Sequence, residues 1–373
     1  MDVTRGQVLA FRASAQGLDG GDDAPARSPS DLALLDLGVQ DTGPDGAAWA
    51  LALRGVAGAD DDLATAWTLR GAPHVHRRAD LPDVQVAVSP FGDADAGKRI
   101  FDANKPLKAA GIGAVEALRT IAQLMREIVT GPMPKGEVSA ELTERLPEPY
   151  RRWCNPCQAV HLFEQPFRFS ALHAGLELEP GTSPPMMRRV PGWPRRAPAP
   201  AADPLAAPER LQPIRAYLRL LGPATPRLVA AHLDAPLRDV TAHWPADAEP
   251  VTVDGEERWV LADDVAALTD AEHDDAVRLV GPFDPYLQGR DRDLLVPDEA
   301  HRKDLWRTLG RPGAVVASGE VVGTWRPRSK GRRLEVAVDP WTRWPARLRT
   351  RVEHRAEALA AFRGRTLAGV TDA

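Results

Sequence analysis

The chain has 373 residues, of which 43% are hydrophobic, so it is long enough for two or three domains with apolar cores. Its two cysteines exclude a disulfide framework and fit a reducing compartment, and no stretch approaches the ~20 apolar residues of a transmembrane helix. The formal net charge is −5, yet basic residues crowd the C-terminal part, which suggests an anionic partner there. The first residues also lack the features of a signal peptide, so we expect a cytoplasmic protein that does not bind membranes.

The pattern of elements predicts an α+β fold, mainly helical, with tandem winged-helix units and a C-terminal α+β segment. A winged helix is a helix-turn-helix followed by a β-hairpin. Residues 1–85 predict the first unit, with helices at 5–16, 31–38 and 45–54 and then strands at AWTLR and PHVHR.

Between the second and third of these helices, residues 35–46 read LDLGVQDTGPDG. Asp36, Gln40 and Asp41 bring carboxylate and amide groups close together in this stretch, and such groups orient water or accept protons in hydrolytic sites. Asp, Thr, Gly and Pro also favour turns for backbone reasons alone, so a plain turn is the alternative. We expect a reaction site here.

The last strand of the first unit carries two histidines. His74 and His76 alternate in RGAPHVHR, so both face the same side of the strand, and Arg70 precedes them at a turn. They either pack as structural polar groups or contact a DNA backbone, since wings commonly follow phosphates. Both interpretations stay open, and Arg70, His74 and His76 are candidate DNA contacts.

An internal repeat relates GPMPKGEVSAELTERLPEPYRRW, residues 131–153, to GPATPRLVAAHLDAPLRDVTAHW, residues 222–244. The matching positions are apolar or turn residues, which indicates a shared fold pattern. The repeat predicts a second winged helix with preceding helices at 86–195 and a third at 209–270. A linker rich in proline and alanine, residues 196–208, joins them.

The predicted recognition helix of the third unit is poor in cations. It carries only Arg238 and His243, with Asp239 between them. A helix that reads bases in the major groove normally brings more Arg, Asn or Gln to base edges. We therefore expect Arg238 and His243 to contact DNA without reading its sequence.

Both cysteines occur in WCNPC, with His161 following Cys157 after three residues. A redox dithiol needs a βαβ context, and a closed zinc site needs four ligands, whereas the sequence has no second CxxC pair. We therefore predict that Cys154 and Cys157 pack in a core and that the protein binds no metal and no cofactor.

The C-terminal segment, residues 271–373, predicts a β-hairpin and a final helix at 345–363. The hairpin tip WRPRSKGRR holds five cations, which favours phosphate contact over a solvated loop. In GPFDPYLQGRDRD, Phe283 and Tyr286 lie near two arginines, which suits either stacking on a base or a buried turn. The candidate DNA contacts of this segment are Arg290, Arg292, Arg326, Arg328, Lys330, Arg332 and Arg333.

The order of several stretches resembles the bacterial winged-helix DNA glycosylases, the group that includes the azinomycin-resistance glycosylase. These stretches are VLAFRASAQGL, LLDLGVQDTGP, AWTLRGAPHVH, GPATPRLVAAHL, GPFDPYLQGRDR and GEVVGTWRPRSKGRRL. The resemblance covers nearly the whole chain. It implies tandem winged helices on duplex DNA and excision of cationic N-alkylated purines without a metal or a lysine nucleophile.

The catalytic signature of that family is Gln, an apolar residue, then Gln or Asp. In this chain Gln40 matches the last position, while Gly38 replaces the first glutamine. The resemblance implies that Gln40 positions the attacking water, with Asp36 or Asp41 as a second acceptor. We expect a monomeric, nucleoid-associated DNA glycosylase acting on double-stranded DNA. A non-catalytic winged-helix DNA-binding protein and a protein-interaction module are the alternatives.

Overall fold

The computed structural model describes residues 1–20, 26–43, 45–56, 61–194, 199–200 and 203–373. The fold is α+β, 45% helical and 22% strand, which confirms the predicted class. None of the described helices is long and apolar enough to cross a membrane. The predicted linker at 196–208 lies partly outside the described residues.

Sixteen α-helices occur within the described residues. They are α1 (Arg5–Ala15), α2 (Leu34–Leu37), α3 (Gly46–Ala52), α4 (Leu81–Ala87), α5 (Asp93–Arg99), α6 (Phe101–Ala109), α7 (Ala114–Ile128), α8 (Lys135–Arg145), α9 (Glu164–His173), α10 (Pro213–Leu221), α11 (Pro226–Leu233), α12 (Leu237–Ala242), α13 (Val265–Thr269), α14 (Arg292–Leu295), α15 (Glu299–Leu305) and α16 (Ala346–Phe362).

The same part of the chain holds sixteen strands in four sheets. They are β1 (Asp2–Val3), β2 (Val39–Gln40), β3 (Leu63–Trp67), β4 (Pro73–Arg77), β5 (Met133–Pro134), β6 (Arg151–Cys154), β7 (Ala159–Leu162), β8 (Leu176–Leu178), β9 (Met186–Arg189), β10 (Ala248–Val253), β11 (Glu256–Leu261), β12 (Val277–Val280), β13 (Gly313–Ala317), β14 (Glu320–Lys330), β15 (Arg333–Pro340) and β16 (Thr366–Asp372). The sheet orders are β1-β10-β11, β2-β4-β3-β8-β9-β5, β12-β13-β14-β15-β16 and β6-β7.

Sheets and cores extend across the predicted units. The six-stranded sheet joins strands of the first unit to strands of the second, and β1 pairs in parallel with β10 of the third. One buried apolar cluster likewise combines residues 32–75 with residues 214–261. Burial of apolar surface is the main favourable contribution to folding. In this chain that burial depends on contacts between segments that are distant in sequence.

Residues 209–270 contain α10, α11, α12, β10 and β11 in that order. The sequence encodes them locally. The hydroxyl of Thr225 accepts a hydrogen bond from the backbone N–H of Leu228, and Pro226 starts α11 with the backbone angle that a first turn requires. Asp234 ends that helix in the left-handed conformation, with φ of 56°.

The first copy of the repeat departs from the second after its first helix. Helix α8 corresponds to α11, but residues that align with α12 form a 3₁₀ turn at Glu148–Tyr150 and then strand β6. Pro147 and Pro149 stand where the second copy has Arg238 and Val240. Each proline removes a backbone donor and disfavours a helical residue before it, so a continuous helix cannot form there.

The prediction that the two cysteines pack in a core is wrong. Strands β6 and β7 form a separate two-stranded hairpin, with Cys154 at the end of β6 and Cys157 in the turn. Cys154 is half-buried and Cys157 is exposed. Neither thiol belongs to a buried apolar cluster of the described residues.

Candidate active site and arginine cluster

The stretch at residues 35–46 is the end of a helix followed by a short edge strand. Helix α2 ends at Gly38, whose φ of 88° is a conformation that glycine adopts without a steric penalty. Strand β2 then pairs with β4, placing Gln40 opposite His74. Because paired and alternate residues share one face of a sheet, Gly38, Gln40, His74 and His76 lie on the same side of this ladder.

The imidazole of His76 occupies the space beside Gly38. A Cβ atom built on Gly38 would lie 2.4 Å from Cε1 and 2.6 Å from Nε2 of His76. The hydroxyl of Thr68 lies 3.0 Å from Nδ1 of His74 and 3.4 Å from Nε2 of His76, so it links the two rings. Where the resembled family has its first glutamine, this chain therefore places a buried Thr–His–His group.

Both histidines are buried and uncharged at neutral pH. Their exposed fractions are 3% for His74 and 1% for His76. Burial lowers the pKa of His76 to about 4. Burial also lowers the pKa of His74 well below its ordinary value, and the positive charge of Arg70 lowers it further. Neutral buried rings offer phosphates no cation, so this burial favours the structural alternative for His74 and His76 over contact with the DNA backbone.

Gln40 presents its amide at the edge of this group. The side chain is half-buried, and its Nε2 donates to the hydroxyl of Thr42 at 2.9 Å. Within the described residues its Oε1 has no hydrogen-bond partner. Because the amide nitrogen is engaged, the carbonyl oxygen is the atom left to accept a hydrogen bond from water.

Asp36 does not share this environment. Its Oδ1 accepts hydrogen bonds from Arg77 at 2.6 Å and from Arg210 at 2.9 Å, and its Oδ2 lies 3.8 Å from Arg219. Arg77 and Arg210 also bind Asp80, which completes a network of ion pairs. Because arginines already engage its carboxylate, the structure favours a structural role for Asp36 over that of a catalytic acceptor.

Asp41 remains next to Gln40 with a partial structural role. Its Oδ1 accepts the backbone N–H of Ala47 at 3.1 Å, in the first turn of α3. Its own backbone N–H donates to Pro73 at 2.8 Å, which holds the turn against β4. The carboxylate thus caps a helix, while its second oxygen has no hydrogen bond within the described ranges.

Four arginines gather beside this ladder without carboxylate partners. Arg70 lies at the turn between β3 and β4, and its Nη1 donates to the carbonyl of His232 at 2.7 Å. Burial and the charge of Arg290 lower the pKa of Arg70 to about 10. Burial lowers the pKa of Arg292, as do the charges of Arg290 and Arg311. Across the described residues, none of the four lies within 4.0 Å of an acidic group.

We call Arg70, Arg290, Arg292 and Arg311 the arginine cluster. Burial, and then the charge of Arg290, lower the pKa of Arg70, Arg292 and Arg311, so the site favours an anion that compensates their charge. Aromatic rings hold two of the heads, since Arg292 lies over Trp306 and Arg311 over another ring. The cluster adjoins His74, whose pKa the charge of Arg70 lowers.

The aromatic residues predicted to stack on a base have different surroundings. Tyr286 is 2% exposed, and its hydroxyl donates to the carbonyl of Gly319 at 2.5 Å, so it belongs to the core. Phe283 is half-buried against the guanidinium of Arg311 at 4.8 Å. The buried-turn alternative holds for Tyr286.

The basic tip of the β14–β15 hairpin keeps only part of its charge unpaired. Arg326 pairs with Asp304 and Arg328 with Glu335, each at 3.3 Å or less. Lys330, Arg332 and Arg333 are exposed, and no acidic group lies within 4.0 Å of them in the described parts of the chain. These last three cations are the ones that a phosphate could reach without breaking an ion pair.

The two candidate contacts on α12 and its end differ in accessibility. Arg238 is exposed and lies 3.3 Å from Asp239. His243 is half-buried, stacks on Phe91 with ring centroids 4.5 Å apart, and its Nδ1 lies 2.6 Å from the carbonyl of Asp239. Arg238 remains a predicted DNA contact, whereas His243 is committed to contacts within the protein.

Comparison with known proteins shows the family of this chain. A family model described as DNA glycosylase AlkZ-like matches residues 34–362. The chain belongs to the AlkZ-like family. The solved structure of Streptomyces sahachiroi DNA glycosylase AlkZ is 22% identical, covers 100% of both chains and superposes with a TM-score of 0.72, so the two share a fold. A search of curated proteins gives no match.

In this AlkZ-like chain, sequence reasoning missed two parts of the site. Thr68 joins the two buried histidines, and Arg311 completes the arginine cluster. Neither residue lies in a stretch with an unusual composition. Thr68 is the first residue of the turn between β3 and β4, and the backbone N–H of Gly71 donates to its carbonyl. Nothing near Arg311 in sequence indicates Arg290 as its neighbour.

Proposed function

We propose that this AlkZ-like chain is a monofunctional DNA glycosylase that removes cationic N-alkylated purines from double-stranded DNA by attack of water. The observation that carries the proposal is the uncommitted amide oxygen of Gln40, which lies opposite His74 on the ladder that the arginine cluster adjoins through Arg70. Family membership supports the DNA glycosylase role. In this proposal the helix-turn-helix and hairpin segments act as winged helices on the duplex.

The chemistry needs little acid catalysis. An N-alkylated purine already carries a positive charge, so the C1′–N bond breaks with its electron pair moving to the base, which leaves neutral. The sugar becomes cationic, and the oxygen of a water molecule bonds to C1′ while its proton passes to solvent. Oε1 of Gln40 holds that water by accepting one of its hydrogens. The carboxylate of Asp41 supplies negative charge near the developing cation.

The arginine cluster has a separate role in this proposal. Guanidinium groups bind phosphate oxygens in a bidentate manner, and the cluster lacks carboxylates that would compete. Without DNA, its charge would repel a cationic base and a cationic sugar. Binding of backbone phosphates neutralises the cluster, so substrate binding itself removes an electrostatic barrier to the reaction.

A second candidate is a DNA-binding protein without catalytic activity. The specific observation that favours it is the imidazole of His76, which occupies the place next to Gly38. One amide holds a water less firmly than two, so the loss of the first glutamine lowers or abolishes excision. Both candidates share the same phosphate contacts and differ only in the reaction.

The test is release of base from a duplex with one N7-methylguanine, followed by alkaline cleavage at abasic sites. We expect the wild type to release the base and Gln40→Ala to release it about 10- to 100-fold more slowly with nearly unchanged affinity, because orientation is only part of the barrier. Gln123→Ala, at an exposed position of α7, is the matched control. Salt-dependent binding without release supports the second candidate, and binding that ignores salt contradicts both.

A further inference from the structure

The hairpin β6–β7 brings the side chains of WCNPCQAVH to one end of a short ladder. Arg152 pairs with His161 and Cys154 with Ala159, so Cys154 and His161 lie on the same face. Cys157 stands in the turn between the strands. The ligand atoms of Cys154, Cys157 and His161 all lie within 4.8 Å of one another.

These separations are close to those of a tetrahedral zinc site. With Zn–S of about 2.3 Å and Zn–N of about 2.0–2.1 Å, ligand atoms stand about 3.6–3.8 Å apart. Side-chain rotations that move the atoms by about 1 Å or less therefore suffice. Two thiolates and an imidazole form a soft donor set that prefers Zn²⁺ over Mg²⁺ or Ca²⁺.

The turn is ordered by its own hydrogen bonds. The indole of Trp153 donates to Oδ1 of Asn155 at 2.9 Å, and Nε2 of Gln158 donates to the carbonyl of Asn155 at 2.7 Å. Gln158 adopts a φ of 51°, which closes the turn. The two cysteines are thus held near each other before any metal binds, which lowers the entropic cost of assembling the site.

One further observation supports a ligand at this hairpin. Nε2 of His161 is buried and has no hydrogen-bond partner within the described residues, although buried polar atoms are nearly always satisfied. A cation held by this nitrogen and the two sulfurs would satisfy the imidazole and neutralise the charge of two thiolates.

We propose that Cys154, Cys157 and His161 bind one Zn²⁺ ion, with a water molecule in the fourth position. Three protein ligands and one water form a known zinc coordination, so the lack of a second CxxC pair does not exclude the site. This replaces the expectation from sequence that the protein binds no metal. The site is distinct from the ladder of Gln40 and from the arginine cluster.

The metal's role is to stabilise the hairpin. A two-stranded hairpin alone is marginally stable in water, and the opposite face of this one is poorly covered, with Trp153 55% and Val160 46% exposed. Strand β7 leads into α9, where Arg168 donates to the carbonyl of Gly71 at 3.1 Å. The zinc-bound hairpin therefore adjoins the helix that supports the turn carrying Arg70.

The test uses the full chain, purified with reductant and stripped of metal. Titration with Co²⁺ should give thiolate-to-cobalt charge-transfer absorption and the intense visible bands of tetrahedral cobalt, and elemental analysis after Zn²⁺ addition should give one zinc per chain. Cys157→Ser and His161→Gln should each weaken Zn²⁺ binding by more than about 100-fold, because even outer-shell changes cost 10- to 100-fold. His354→Gln, an exposed histidine on α16, is the control and should bind normally.

Amide hydrogen exchange gives an independent readout of the hairpin. Chelation of the metal should speed exchange at residues 151–162 in the wild type and change nothing in Cys157→Ser. A wild type that takes up no Co²⁺ or Zn²⁺ overturns the proposal. Equal uptake by wild type and the two ligand variants also overturns it, as does a Cys154–Cys157 disulfide that persists in reductant.

Discussion

A side chain at position 38 should destabilise the protein through two separate effects. Gly38 has φ of 88° and ψ of 146°, where a residue with a Cβ atom incurs about 1–3 kcal/mol of strain. The new Cβ would also lie 2.4 Å from the His76 ring, and such overpacking costs about 1–3 kcal/mol. We expect Gly38→Ala to lower the free energy of unfolding by about 2–6 kcal/mol, measured by urea denaturation.

Gly111→Ala is the matched control for the backbone effect. Gly111 has φ of 75°, and no atom lies within 4 Å of its added Cβ, so this variant should lose only the strain of about 1–2 kcal/mol. A double-mutant cycle with His76→Ala should then show a coupling of about 1–3 kcal/mol, because removing the ring removes the clash. A Gly38→Ala protein as stable as Gly111→Ala would refute the reasoning, since the ring would then move at no cost.

The same clash bears on the family signature. Gly38→Gln restores the first glutamine of the resembled pattern, yet the ring of His76 fills the space that its side chain needs. We therefore expect Gly38→Gln alone to destabilise the chain and not to raise base release. Only with His76→Ala in addition would the glutamine have room beside Gln40.

Two further predictions concern charge. Lys330→Ala in the hairpin tip and Arg292→Ala in the arginine cluster should each reduce the slope of log affinity against log salt for duplex DNA by about one unit. Arg145 already pairs with Glu141, so Arg145→Ala is the control and should leave the slope unchanged. Unchanged slopes for the first two variants would show that neither site contacts DNA. Buried histidines should make the fold acid-sensitive: in the unfolded chain they bind protons below about pH 6.5, but His76 does so in the folded chain only near pH 4. The free energy of unfolding should therefore fall as pH drops from 6.5 towards 4, by up to about 1.4 kcal/mol per pH unit for each such histidine. A free energy of unfolding that is constant over this range would contradict the burial of these histidines as neutral rings.

Local sequence signals predicted the elements that depend on local physics. Thr225 and Pro226 start α11, and the final helix α16 lies within one residue of its predicted bounds at each end. The internal repeat was a less reliable guide to the elements. Its shared apolar positions predict the same helices in both copies, but Pro147 and Pro149 prevent the second helix in the first copy. A proline in a predicted helix removes a hydrogen bond whatever the apolar pattern around it.

The candidate site was predictable only in part, since its environment comes from distant segments. Gln40 is marked by its neighbours in sequence, but the arginines that engage Asp36 lie at positions 77, 210 and 219. His76 was recognised as a polar residue on a strand, yet its burial depends on which strands become its neighbours in the sheet. The periodicity of a sequence indicates which face of a strand or helix is apolar. Which other element packs against that face depends on the tertiary structure.

The pairing of β1 with β10 has a consequence for synthesis of the chain. Asp2 lies beside Thr252, so during synthesis β1 has no pairing partner until a strand some 250 positions later has been made. Arg12 similarly finds its carboxylate at Asp291. Until then, the apolar face of α1 has no partner and is open to chaperones or to other nascent chains. Expression of this protein should thus depend on chaperone supply more than its final stability suggests, and fragments that end before β10 should aggregate.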